Sequence, residues 1–300
     1  MPLSTPTRLL VFPPLVGERL DRFLAAATAL SRRKAREAIS AGEVLRNGRP
    51  IRVQSRELEL ADVIDVLRPP AELEVPPRPE LPEIPLLHRD PWLLVVDKPA
   101  GMLSQPAERR GEGELACDEA VRLQLAAAEG RPPFLRLIHR LDRLTSGVLL
   151  FATDRRALEP LSRLWREKRV HRRYRALVHG VPALDGETGR LVIEAPLAKV
   201  PGGGWKFEVA AGGKASRTDV EVVAAGDERS LVECRLLTGR THQVRVHLAH
   251  SGHPVVGDRL YGGGEARRLM LHALELSLPH PKTGETLTVT APPPPELEAL

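Results

Sequence analysis

The sequence predicts an α+β protein of two domains, a small unit of helices and a hairpin followed by a larger one built on a mixed or largely antiparallel sheet. Three observations carry this. Two amphipathic helical patterns and an Asn-Gly turn fall together near the start. From Arg68 to Pro85 the chain reads RPPAELEVPPRPELPEIP, with seven prolines, which packs poorly as helix or central strand. Beyond it, apolar extended runs mix with helical patterns without the regular alternation of a parallel βαβ fold.

Residues 1–16 read as an N-terminal segment. In ERLDRFLAAATA, Leu20, Phe23, Leu24 and Ala27 share one helical face, and SRRKAREAISAG follows with Ser31 as N-cap and Gly42 as terminator. EVLRNGRPI places Asn47-Gly48 between two extended pieces, and ADVIDVL alternates as a further strand. These elements form a small domain over 17–67, and residues 68–84 form a stiff extended linker. In the large domain, 85–300, strands are expected at LLVV (93–96), VLLFA (148–152), YRALVHG, RLVIEAPL, SLVECRLL and TLTVTAP. A helix is expected from about Ala157 to Lys168, and APPPPELEAL reads as a proline-stiffened tail.

Of 300 residues 42% are hydrophobic, enough for a large core, yet no apolar run approaches the roughly 20 residues that span a bilayer. The start MPLSTPTRLLVFPP lacks the order of a signal peptide, so a soluble, cytoplasmic protein with no membrane partner is expected. Cys117 and Cys234 stand far apart and in no ligand spacing, which argues against disulfides and a zinc cluster. The net charge of +5 makes a polyanionic partner plausible, and local clustering must decide it.

Three clusters bear on chemistry. In RLIHRLDRLTSGVLLFA (136–152), Asp142 stands among Arg140 and Arg143 ahead of a buried strand. Adjacent cations favour the charged carboxylate, which suits a nucleophile, base, metal ligand or salt-bridge partner better than a general acid. A structural ion pair competes with that reading. In LTGRTHQVRVHLAHSGHPVVGD (237–258), Thr241 is expected to cap a helix running to Ser251, ended by Gly252. Its histidines invite a metal, but His247 and His250 share a face that His242 does not, and no carboxylate is suitably spaced. RNA-facing or core histidines fit better, and no metal site is expected. In RLWREKRVHRRYRALVHG (163–180), seven cations, Lys168, Arg169, Arg172 and Arg173 among them, are opposed in sequence only by Glu167. So dense a run favours nucleic acid over a merely solvated face. With 3% aromatics there is no stacking platform, though Tyr174 could stack on one base.

Residues from about Gly17 to Leu67 resemble the S4-like RNA-binding domain, with Ala61-Asp62 where that family usually has Gly-Asp. The resemblance implies RNA contacts from Arg19, Arg32, Arg33 and Lys34. DKPAGMLSQP (97–106), HRLDRLTSGVLLFA (139–152), YRALVHG (174–180), LLTGRTHQVRVHLAHSGHPVVGDRLYG (236–262) and RLMLHALELSLPHPKTGE (268–285) together resemble the RluA-type pseudouridine synthases. That likeness spans nearly all of Ile84 to Ala291 and implies isomerisation of uridine in structured RNA without cofactor. It implies Asp142 as the catalytic aspartate, Arg240 as the arginine paired with it and Tyr174 as the ring stacking on uracil. Arg140 would displace the target base, and Leu271 would line the pocket. The S4-like domain tilts the substrate toward ribosomal RNA over transfer RNA, with no obligate protein partner. A silent RNA-binding protein on the same fold and a histidine-dependent metallohydrolase are the competing readings. The insert at 107–134 carries no expected site.

Overall fold

The computed structural model describes residues 6–68, 73–75, 81–108, 110–111 and 113–298. The chain forms two compact units, Met1–Ile84 with Gln105–Leu135, and Pro85–Ser104 with Arg136–Leu300.

In the first unit, helix α1 (Leu20–Ala27) buries Leu20, Phe23 and Leu24, the face its spacing predicts. Helix α2 (Arg32–Ala41) starts where the Ser31 hydroxyl accepts the Lys34 N–H at 3.3 Å. It ends at Gly42, whose φ of 81° closes the last turn. A four-stranded sheet runs β1-β4-β2-β3, comprising β1 (Thr7–Leu10), β2 (Val44–Arg46), β3 (Arg49–Pro50) and β4 (Val63–Val66). Strand β1 lies in the segment read from sequence as preceding the domain; its partner β4 is more than fifty residues away, a pairing local pattern does not reveal. Asn47 and Gly48 take φ of 54° and 76°, the left-handed pair a tight hairpin needs. Ala61, at φ 67°, occupies the left-handed position usually held by glycine, and the Asp62 carboxylate braces that turn through Asn47, Arg46 and the Glu59 N–H.

Two further segments join this core. Leu73, inside the expected linker, is buried beside Phe23 and Ile39 and accepts the Ala29 N–H; residues 69–72 and 76–80 of that linker lie outside the described residues. Helix α3 (Cys117–Glu129) buries Leu123 and Ala126 against Leu10, Ala61 and Val63. Read from sequence as part of the 85–300 domain, residues 105–135 thus pack with the N-terminal unit.

The second unit is built on a mixed sheet of ten strands among the described residues. Its strands are β5 (Leu86–Arg89), β6 (Leu93–Lys98), β7 (Arg136–Leu137), β8 (Ser146–Ala152), β9 (His171–His179), β10 (Leu191–Glu194), β13 (Arg217–Ala225), β14 (Arg229–Leu236), β15 (Leu271–Pro279) and β16 (Thr286–Thr290). The order is β10-β13-β14-β9-β15-β8-β6-β5, with β16 on β15 and β7 on β8. A separate hairpin joins β11 (Leu197–Lys199) to β12 (Phe207–Val209). Among these pairs β15–β8 is parallel, with His272 opposite Ser146 and Ala273 opposite Gly147. Gly147 is required there: a Cβ would lie 2.2 Å from the Ala273 carbonyl oxygen, at a φ of 112°. The start of β8 and the start of β15 therefore lie side by side, next to β9.

Helix α4 (Leu158–Arg166) covers one part of the sheet through Leu161 and Leu164, packed with Val95, Leu150 and Leu276. Helix α5 (Gln243–His250) covers another through Val244 and Leu248, packed with Val178, Val232 and Leu271. The proline-rich tail makes a 3₁₀ turn at Pro295–Leu297 and buries Leu297 in the same cluster. Both cysteines are buried, and no helix among the described residues is long and apolar enough to cross a membrane.

Candidate active site

Asp142 sits in the loop entering β8, and the loop is clamped from both sides by the segment that follows β6. Ser104 Oγ donates to the Leu141 carbonyl at 2.8 Å and accepts the Leu141 N–H at 3.0 Å. The Gly101 N–H and the Lys98 ammonium both donate to the Arg143 carbonyl, at 2.8 and 3.2 Å. The DKPAGMLSQP motif thus holds the residues on either side of Asp142. Deeper in, His139 stacks on Trp165 at 5.4 Å and accepts the Leu150 N–H through Nε2. Burial pulls this imidazole down to about 3, so it is a neutral structural ring.

The arginine that holds Asp142 is Arg245. Its Nη1 lies 3.3 Å from Asp142 Oδ2, while Nε and Nη2 make a bidentate pair with the buried Asp258 at 2.6 and 2.8 Å. Burial works against the charge of Arg245, but Asp258 and Asp142 outweigh it and raise the guanidinium above its ordinary value. Arg240, expected in this role, lines the same cleft but directs its guanidinium to the Ala215 carbonyl at 3.4 Å. The helix N-cap is His242, at a left-handed φ of 57°, not Thr241; Arg240 precedes the helix, as it would with either cap, and Arg245 is presented from its first turn.

Asp142, Arg140, Tyr174, Leu271, Arg240, His242 and Arg245 line one open cleft, with Asp142 24% exposed at its side chain. Asp142 is the one carboxylate among the described residues lining it. Tyr174 stands on β9 opposite Ala273 of β15, and Leu271 is buried at the start of β15. Burial pushes the Tyr174 phenol above its ordinary range, only partly opposed by Arg172, so the ring is neutral. Arg140 is exposed at the cleft.

The other histidines of the 237–258 segment are not grouped. His247 is buried between Thr218 Oγ1 and the Ala195 carbonyl, and His250 is exposed. His253 contacts the His179 carbonyl. Among the described residues no three His, Cys, Asp or Glu side chains are placed to hold a metal ion.

A groove of about 790 Å³ adjoins the cleft through Leu236 and Arg240 and is lined by Trp165, Lys168, Arg172, Arg217 and Arg235. Glu194 is the acid in its lining. Arg172 donates to the Thr238 carbonyl while its Nε is buried without a hydrogen-bond partner among the described residues. Not all of the expected basic run is available. Arg173 is tied to Glu233 and Glu275, at 2.9 and 2.6 Å, and Arg175 to Glu233 and Glu298. These acids come from β14, β15 and the tail, so a linear count around Glu167 omits them. Arg169 makes a loose pair with Glu167 at 3.6 Å.

In the first unit, Arg19, Arg32 and Arg36 all donate to the buried Asp21, at 3.2, 3.0 and 2.8 Å. Burial alone would raise that carboxyl, but the three guanidiniums hold it far below the usual range. Arg33 pairs with Glu37 on the exposed face, where Lys34 also lies.

Comparison with known proteins agrees with this geometry. Residues 92–250 match the family described as RNA pseudouridylate synthase, and residues 18–64 match the S4 domain. The chain is 37% identical over 99% of its length to an uncharacterized RNA pseudouridine synthase of Chloroflexus aurantiacus, covering 94% of that protein. It is 34% identical to ribosomal large subunit pseudouridine synthase D of Zymomonas mobilis, over 95% of this chain and 93% of the other. Ribosomal large subunit pseudouridine synthase C of Yersinia pestis is 36% identical, with 92% and 88% covered. The solved human RNA pseudouridylate synthase domain containing 1 superposes with a TM-score of 0.60 at 30% identity, over 74% of this chain and 89% of that one. The chain belongs to the RNA pseudouridylate synthase family, enzymes that isomerise uridine to pseudouridine in RNA, and carries an S4 domain ahead of the catalytic fold.

Proposed function

We propose that this enzyme acts on uridine in large-subunit ribosomal RNA, with Asp142 as the one carboxylate that works on an extruded nucleoside. The relatives from Zymomonas mobilis and Yersinia pestis carry that substrate in their names, and the S4 domain supplies a second RNA-binding unit.

Pseudouridine formation breaks the bond from N1 to C1′ and forms one from C5 to C1′, while C5 loses a proton and N1 gains one. No group enters and none leaves, and no electrons are exchanged, so the balance calls for no co-reactant. Hydrolytic glycosidases canonically use two carboxylates because water must be activated or admitted. Here water is to be kept out, and the observation that carries the reading is Asp142, gripped by Arg245 and the one carboxylate among the described residues lining a cleft that Tyr174 and Leu271 also line. In this role Asp142 attacks the sugar or the ring, or takes a proton from the sugar. Tyr174, neutral and held by strand β9, stacks on the uracil against Leu271.

Reaching the bond in folded RNA requires flipping the uridine, at a cost of a few kcal/mol. Arg140 at the cleft takes the vacated place in the stack. Lys168, Arg172 and Arg235 in the adjoining groove hold the flanking phosphates, joined by Arg169 at its margin. Arg173 serves the sheet more than the RNA. In the S4 unit Asp21 fixes Arg19 and Arg32 for the RNA backbone, and Arg33 and Lys34 add charge beside them.

The substrate is tested by mapping pseudouridines in ribosomal and transfer RNA from cells with and without the gene. Loss at uridines of the large-subunit RNA is expected. Loss confined to transfer RNA would overturn the substrate assignment.

A further inference from the structure

We propose that His242 and Tyr261 are positioning residues that, with Arg245, hold Oδ2 of Asp142 and leave Oδ1 as the reacting oxygen. This rests on the proposed role of Asp142 and goes beyond it, because neither side chain belongs to the set expected from the sequence.

The proton positions are assigned so that no imidazole lone pair faces the carboxylate. The Phe207 N–H donates to Tyr261 Oη at 3.0 Å, which occupies a lone pair of that oxygen. The Tyr261 hydroxyl is then free to donate to His242 Nδ1, 2.8 Å away. With Nδ1 accepting, the neutral imidazole carries its proton on Nε2, which lies 3.8 Å from Asp142 Oδ2. That is too long for a hydrogen bond as it stands, but such contacts tighten when substrate closes a site. Arg245 reaches the same oxygen at 3.3 Å, and its guanidinium stacks over the Tyr261 ring at 5.0 Å. Oδ1 of Asp142 has no hydrogen-bond partner among the described residues. One carboxylate oxygen is thus anchored by a cation and a neutral donor, and the other is bare in the cleft.

The imidazole is fixed by edge contacts with Phe207 and Tyr261, and its backbone is the left-handed N-cap of α5. Burial keeps His242 below the ordinary histidine value, helped by Arg245 and opposed by Asp142 and Asp258. The Tyr261 hydroxyl touches it, and Tyr174, Arg140 and Arg240 line the same cleft. Burial thus favours the neutral ring. Protonation would put a second cation against Asp142 and weaken it as a nucleophile or base.

The test measures single-turnover rate and RNA affinity across pH for wild type, Tyr261→Phe, His242→Gln, His242→Ala and Asp142→Asn. Tyr261→Phe keeps the ring under Arg245 and removes only the hydroxyl. The expected result is a rate loss of about tenfold with unchanged RNA affinity. Its acid limb should move to higher pH, because Nδ1 without its donor takes a proton more readily. His242→Ala should lose about a hundredfold, and His242→Gln, which keeps an N–H near Nε2, should recover part of it. Wild-type rates and pH profiles in Tyr261→Phe and His242→Ala, with Asp142→Asn inactive, would overturn the relay and leave the role of Asp142 intact. Equal losses in His242→Gln and His242→Ala with an unmoved acid limb in Tyr261→Phe would reduce the pair to a structural support and overturn it too. Activity in Asp142→Asn would instead sink the reading on which the relay rests.

Discussion

The buried ammonium of Lys98 donates to the carbonyl oxygen of Arg143, the residue directly after Asp142, and also to the carbonyls of Pro99 and Met102 at 2.9 and 2.8 Å. One side chain thereby fixes the turn after β6 to the loop that bears Asp142. Replacing it by Met keeps the length and apolar stem and takes a donor from three carbonyls, of which that of Arg143 keeps the Gly101 N–H. A loss of about 2–3 kcal/mol is expected, since charge-assisted bonds are the strong ones. Denaturant unfolding and the single-turnover rate should both report it.

Arg245 and Arg240 separate cleanly. Arg245→Lys keeps a charge but cannot make the bidentate pair with Asp258, so kcat should fall by about a hundredfold and stability should drop as Asp258 loses its fork. Arg240→Ala should leave stability and kcat close to wild type and raise KM for RNA. Steady-state kinetics on one RNA transcript distinguishes the two.

Stability of the catalytic unit should fall in mild acid. Burial lowers His272 from 6.5 to about 4 and His139 to about 3, so both are neutral in the folded state while the unfolded chain takes up protons. Their contribution is complete above pH 6.5 and is lost as pH falls from there toward 4, at up to ~1.4 kcal/mol per pH unit for each ring. Asp97, raised by burial, works in the opposite sense and offsets part of the loss. Guanidinium unfolding at pH 7, 6 and 5 measures the slope, and His272→Gln should flatten it.

The groove is tested by salt. If Lys168, Arg172 and Arg235 each neutralise a phosphate, removing one should reduce the slope of log affinity against log salt by about 0.7. Arg173→Ala should instead lower stability, because it leaves Glu233 and Glu275 without their guanidinium, and should move the slope little. Filter binding at several salt concentrations reads both.

What the sequence made legible is what local chemistry decides. Ser31 and Gly42 bound α2, Asn47-Gly48 turns the hairpin, and VLLFA is a strand because its residues are buried throughout. The gathering of Asp142, Tyr174, Leu271 and Arg140 in one cleft was readable from motif resemblance. That Arg245, where Arg240 was expected, reaches the carboxylate was not, because both stand in one motif and only the folded loop and helix show which guanidinium points at Asp142. Arg173 read as an RNA ligand because its partners, Glu233 and Glu275, lie 60 and 102 residues away across strand pairs. The same distance in sequence hid β1, Leu73 and α3 from the small domain they complete. His242 and Tyr261 stand in one motif, 19 residues apart, and only the fold brings the hydroxyl to the imidazole.

The central claim is that a single carboxylate does the chemistry, and Asp142→Asn tests it most directly because it preserves shape and one hydrogen-bonding oxygen. Incubated with large-subunit RNA from cells lacking the enzyme, the variant should bind with near wild-type affinity and form no pseudouridine. Pseudouridine formation at a rate near that of wild type would contradict the account.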